Sequence, residues 1–113
     1  LVLWTLAMCA WLYATRLPAM RRLRIVPDPR RPAEEFRAAL PPEARWKADN
    51  YNHLLEQPTL FYAVVLGLAL LGATDTLTVV LAWHYVGFRV AHSLVQATVN
   101  VIPLRFALFM AGT

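Results

Sequence analysis

Apolar residues run almost without interruption through Leu1–Tyr13, again from about Leu60 to Ala73, and again through Leu77–Val90. The runs do not alternate, so they read as helices and not as strands of a barrel. The pattern predicts helices over about 1–20, 48–73, 76–102 and 104–113. A polar, proline-rich stretch over 21–47 separates the first two. Pro27, Pro29, Pro32, Pro41 and Pro42 exclude a long helix there, and a short one is expected around Ala33–Leu40. Asp75 marks the turn between the second and third helices, and Pro103 suits the first turn of the fourth. Pro58 is expected to kink the second helix just past Glu56.

The predicted lengths match a bilayer, where about 20 residues span the hydrocarbon. Helices satisfy their own backbone groups, as lipid requires. The fold expected is therefore all-α: an integral membrane, up-and-down four-helix bundle forming one domain over 1–113. The N-terminal run lacks a charged leader and a cleavage site, so it reads as a truncated first helix and not a signal peptide. The last helix is likewise expected to be cut.

Composition agrees. The 113 residues are 58% hydrophobic and 16% charged, with a mean hydropathy of +0.44. Soluble domains carry about 45–50% apolar and about 25% charged residues. Cys9 is the one cysteine, which excludes an intrachain disulfide and a thiolate metal cluster. The glycines are scattered, so there is no phosphate-binding loop. The histidines do not pair at metal spacing, and no metal is expected. The high arginine and alanine content suggests a GC-rich bacterial genome, which would make the inner membrane the site of residence.

Charge sets the orientation. Arg16, Arg21, Arg22, Arg24, Arg30, Arg31, Arg37, Arg45 and Lys47 cluster between the first two helices, against Asp28, Glu34, Glu35 and Glu43. The turn at Asp75 has no base. The 21–47 loop is therefore expected in the cytoplasm, in reach of anionic headgroups. A basic loop is ordinary in a membrane protein, and no nucleic-acid partner is expected.

Inside the apolar runs, polar residues form stripes. At 100° per residue, Arg45, Asp49, Asn52, His53 and Glu56 fall within an arc of about 100°. So do Tyr85, Arg89, His92, Ser93, Gln96 and Asn100. Charges in a membrane are costly and tend to face the bundle interior. The two stripes are expected to face each other, with Glu56 and Arg89 as charge partners. Ser93, Gln96 and Asn100 taken singly read as hydrogen-bonding glue between helices. Glu56, Arg89, His92 and Asn52 together exceed what packing needs and read as a functional site. His84 reads as a packing or interfacial residue. Trp4, Trp11, Trp46 and Trp83 read as interface anchors or packing.

Two segments bear a family likeness. Asn52-His53-Leu54-Leu55-Glu56-Gln57-Pro58-Thr59-Leu60-Phe61 resembles the second-helix signature of the MAPEG family, the membrane-associated proteins in eicosanoid and glutathione metabolism. Arg89-Val90-Ala91-His92, with Arg105 after Pro103, resembles its third-helix motif and the start of its fourth helix. The resemblance implies a homotrimer with glutathione bound between subunits towards the cytoplasmic side. It implies transfer of the glutathione thiol to lipophilic electrophiles, or reduction of lipid hydroperoxides. By the same resemblance Arg89, Asn52 and Glu56 would bind or position the tripeptide, with Arg45, His53, His92 and Gln96 beside them. Arg105 would stabilise the thiolate, since a cation near a helix N-terminus lowers a thiol pKa. His92 and Gln96 stand where enzymatic members usually carry tyrosines. The alternatives are a non-catalytic lipid- or protein-binding member of the same fold and a proton relay through Glu56, His92 and Arg89.

Overall fold

The computed structural model describes residues 1–113 and contains six helices and no strand. Its first helix, α1, covers Val2–Leu23. The apolar run sustains it, and Thr15 returns its hydroxyl to the Trp11 carbonyl at 3.0 Å, so this polar residue costs the helix little. It stops where Arg24 takes a left-handed conformation (φ 50°) and the Ile25 N–H donates to the Met20 carbonyl.

The short helix α2, Ala33–Ala39, lies in the proline-rich connection. Three contacts strap it to the bundle. The Arg16 guanidinium sits 4.9 Å from the centre of the Phe36 ring, Arg37 pairs with Asp49, and Leu40 is buried.

The second long segment begins earlier than the proline pattern predicts. Helix α3 runs Pro42–Glu56, six residues ahead of Ala48. Pro42 does not oppose this, because the first helical position needs no N–H and a φ near −65° suits it. The segment then breaks at Gln57–Pro58, and α4 continues over Thr59–Leu70. Proline cannot donate to the preceding turn. The Thr59 hydroxyl instead donates to the Glu56 carbonyl at 3.0 Å.

Helix α5, Thr76–Thr98, is capped by Asp75, whose carboxylate accepts the Thr78 N–H at 3.1 Å and the Thr78 hydroxyl at 2.6 Å. It ends four residues before Ile102. Asn100 adopts a left-handed conformation (φ 50°), which asparagine tolerates better than most residues. Helix α6, Ile102–Gly112, follows with Pro103 in its first turn.

Helix α3 packs between α1 and α5, and α6 packs on α5. The apolar core lies at the α1–α3–α5 junction, where Met8, Leu54 and Ala97 are buried under Trp4 and Trp11. Helices α5 and α6 approach closely at Gly112. A Cβ there would stand 2.7 Å from the Phe88 Cβ, so only glycine fits this contact.

The distribution is inverted relative to a water-soluble domain. Seven polar side chains are buried against six apolar ones. Helix α4 has no buried residue at all, and Leu60, Leu66, Leu70 and Leu71 are exposed along or just beyond it. Taken together, Pro42–Leu70 is long and apolar enough to cross a membrane. Helices α1 and α5 have 22 and 23 residues. Those lengths are sufficient too, at about 1.5 Å per residue, but Arg16, Arg89 and His92 interrupt their apolar character.

Candidate functional site

The buried polar residues converge where α1, α3, α5 and α6 meet. Ser93 is their centre. It is fully buried, and its hydroxyl oxygen accepts from the Asn50 amide and from the Trp4 indole N–H, each at 2.9 Å. Three helices are thereby joined through one oxygen. Trp4, half-buried, thus ties helices together, the packing role of the two expected for it.

One turn towards the middle of α5, Arg89 is only 4% exposed. Its guanidinium lies 5.0 Å from the Tyr85 ring centre and 4.8 Å from that of Phe109. His92, equally buried, stacks on His53 with ring centroids 5.0 Å apart. Phe109 on α6 flanks both imidazoles, at 6.1 and 6.3 Å. Arg105 enters from the first turn of α6 and donates to the Asn100 Oδ1 at 2.6 Å. The left-handed turn at Asn100 therefore positions that arginine.

Five buried polar atoms in this region have no hydrogen-bond partner: Asn50 Oδ1, Arg89 Nε and Nη1, Gln96 Oε1 and Arg105 Nε. Buried polar groups are normally satisfied. Neither arginine has a carboxylate: the ion pairs of the molecule are Arg31 with Asp28 and Arg37 with Asp49. The aromatic faces offset part of the cost of burying Arg89, and the rest is uncompensated positive charge. The unpartnered donors fit an anionic ligand.

The structure divides the expected stripes. On α5, Arg89, His92, Ser93 and Gln96 are buried together, with Tyr85 half-buried. On α3 the buried face is Ala44, Lys47, Asn50 and Leu54. Asn52 and Glu56 are exposed, and Arg45 and Asp49 are half-buried. The stripes do not face each other, and the expected Glu56–Arg89 ion pair does not form. His53 alone of that stripe reaches the cluster, through His92. His84 is a packing residue, exposed and tilted on Phe88 at 4.6 Å.

Asn50 and Lys47 are the residues that sequence reasoning missed. Lys47 stretches over the Trp11 ring at 4.9 Å and donates to the Glu43 carbonyl. Their spacing with Ala44 and Leu54 forms a helical face of its own, and this is the signal that marks them. Around α3 polar residues occupy every side, so density of polarity did not select the inward one.

A second feature adjoins the first. Between α4 and α5 lies a cavity of about 380 Å³ lined by Val64, Val65, Leu68, Leu81, Ala82 and other apolar residues. Phe61 and Tyr85 also line it, stacked with centroids 4.2 Å apart. Tyr85 thus touches the apolar cleft and Arg89 alike. No group of three or more histidine, cysteine or carboxylate side chains is arranged to hold a metal ion.

A helical bundle that buries cations, exposes leucine and sets an apolar cleft beside a buried polar cluster has the character of a membrane-associated protein. A family model described as the MAPEG family matches residues 1–113. The chain belongs to the MAPEG family, and is a membrane protein of the glutathione- and eicosanoid-related group. Comparisons with curated proteins and with solved structures give no significant match.

Proposed function

We propose that the protein is a multi-pass membrane enzyme that binds glutathione in the buried cluster. On this reading it transfers the thiol to lipophilic electrophiles or uses it to reduce lipid hydroperoxides. Four spans cross the bilayer, three copies assemble, and the 21–47 loop faces the cytoplasm, in a bacterial inner membrane. The observation that carries the reading is the unpartnered positive charge of Arg89 and Arg105 in a buried cluster where neither pairs with a carboxylate.

Arginine holds carboxylates by paired charge-assisted hydrogen bonds, and glutathione carries two. Arg89 and Gln96 would take one end of the tripeptide, with Asn50 as a further polar contact. His53 and His92 form the aromatic wall. Bound glutathione supplies a nucleophilic thiol. Arg105, fixed by Asn100 at the start of α6, favours the thiolate through its charge and the helix N-terminus. The α4–α5 cleft suits the lipophilic partner, and Tyr85 joins the two compartments. Asn52 and Glu56 are exposed and Arg45 is half-buried within one subunit. In the trimer they would serve a neighbour's site.

A second reading is a non-catalytic binding protein of the same fold. His92 and Gln96 favour it, since they replace the tyrosines usual in enzymatic members. Conjugation of a soluble test electrophile by the purified protein separates the two. The enzyme reading expects turnover above the uncatalysed rate, falling by about a hundredfold in Arg105→Ala, as for loss of a group stabilising developing charge. Turnover at background in the wild type, with glutathione binding intact, leaves the non-catalytic reading.

A further inference from the structure

The C-terminal end of α1 carries a charge pattern that the glutathione site does not use. Arg21, Arg22 and Arg24 are exposed and engage in no ion pair. At 100° per residue Arg21 and Arg22 stand about 100° apart, and Arg24 follows in the left-handed cap beyond the last helical residue. Between and just after them stand Leu23, 54% exposed, and Val26, 82% exposed. The carboxylates nearest in the chain do not neutralise them. Asp28 accepts the Arg30 backbone N–H at 2.9 Å and faces Arg31, while Glu34 and Glu35 sit in the first turn of α2, where they complement its dipole.

Arg21 and Arg22 also complement the negative end of α1. That role accounts for neither Arg24, which lies past the helix in the left-handed cap, nor the exposed leucine and valine. Water leaves two such apolar side chains among three free guanidiniums unfavourable, and a nucleic-acid groove gives them nothing to bury against. A headgroup layer satisfies both. Guanidinium groups meet phosphates in forked hydrogen bonds, and Leu23 and Val26 enter the boundary with the acyl chains.

We infer that Arg21, Arg22 and Arg24, with Leu23 and Val26, form a binding surface for the phosphate headgroups of anionic phospholipid on the side of the membrane where the 21–47 loop lies. The surface is independent of the buried cluster and stands whether or not glutathione binds.

The test is native mass spectrometry of the full-length, detergent-purified protein mixed with phosphatidylglycerol or phosphatidylcholine. Phosphatidylglycerol should bind at least tenfold more tightly, and added salt should weaken the preference. Each Arg→Gln change at 21, 22 or 24 should cost roughly fivefold in phosphatidylglycerol affinity, the value of one basic residue near an anionic surface. R21K/R22K/R24K keeps the charge and loses the fork, and should fall between the wild type and R21Q/R22Q/R24Q. Unchanged circular dichroism shows whether R21Q/R22Q/R24Q is folded, and the lysine variant serves if it is not. Equal binding of the two lipids by the wild type overturns the proposal. So does undiminished phosphatidylglycerol binding in the glutamine variant, or a short RNA that binds the same arginines more tightly than phosphatidylglycerol does.

Discussion

Helix α5 contains two opposite environments. Its first half, through Leu77, Val79, Val80 and Leu81, turns exposed apolar side chains outward. Its second half buries Arg89, His92, Ser93 and Gln96. A soluble protein would arrange the reverse. Exposed leucine and valine beside a buried polar cluster are what the proposed membrane reading expects, with hydrocarbon outside and polar groups inside. Lipid gives no reward for burying leucine, so packing and interior hydrogen bonds define the bundle. Only the small cluster of Met8, Leu54 and Ala97 resembles an ordinary core.

The contrast can be broken most sharply at that core. Leu54→Ala opens a cavity between α1, α3 and α5, and should destabilise the detergent-solubilised protein by about 3 kcal/mol. Thermal unfolding followed by circular dichroism reads the loss. Gly112→Ala comes next. Its added methyl collides with Phe88, and overpacking of this kind costs about 2 kcal/mol. The same unfolding experiment, with Gly67→Ala as the uncrowded control, isolates the effect, since nothing lies within 4 Å of a Cβ at Gly67.

Glu56→Gln should change stability by less than about 0.5 kcal/mol, because Glu56 is exposed and pairs with no arginine. A large loss would restore the ion pair with Arg89 that the geometry denies. The smallest effect lies at the other end of α5. Hydrogen bonds from the Thr78 hydroxyl and backbone N–H hold the Asp75 carboxyl below the ordinary carboxylate range. A carboxylate with a depressed native pKa stabilises above its unfolded pKa, and loses that contribution as pH falls through the native one. Asp75→Asn should therefore lower neutral-pH stability slightly and flatten the acid dependence by the same amount, leaving stability below the native pKa nearly unchanged.

Much of this layout is legible in residue order, and the limits have physical causes. Asp75 announces the start of α5 through capping chemistry, and Pro58 announces the break between α3 and α4. The inward face of α5 is readable because one polar stripe lies on an apolar cylinder. Helix α3 offers no such contrast. Arg45, Asp49 and Asn52 compete with Lys47 and Asn50, and tertiary partners decide between them: Trp11 for Lys47, Ser93 for Asn50. The start of α3 at Pro42 was hidden because two prolines read as breakers although the second serves as a first-turn residue. The role of Trp4 was hidden because its partner lies 89 residues away.

On the proposed reading the polar interior holds an anionic tripeptide through its unpartnered arginines. Isothermal titration of the purified protein with glutathione tests it directly. Saturable binding is expected, weakening at least tenfold in Arg89→Ala, as when charge-assisted hydrogen bonds worth about 1.5–3 kcal/mol are removed. No comparable loss is expected in Asp75→Asn, which lies outside the cluster. No saturable binding by folded wild-type protein, or equal affinity in Arg89→Ala, would contradict that reading.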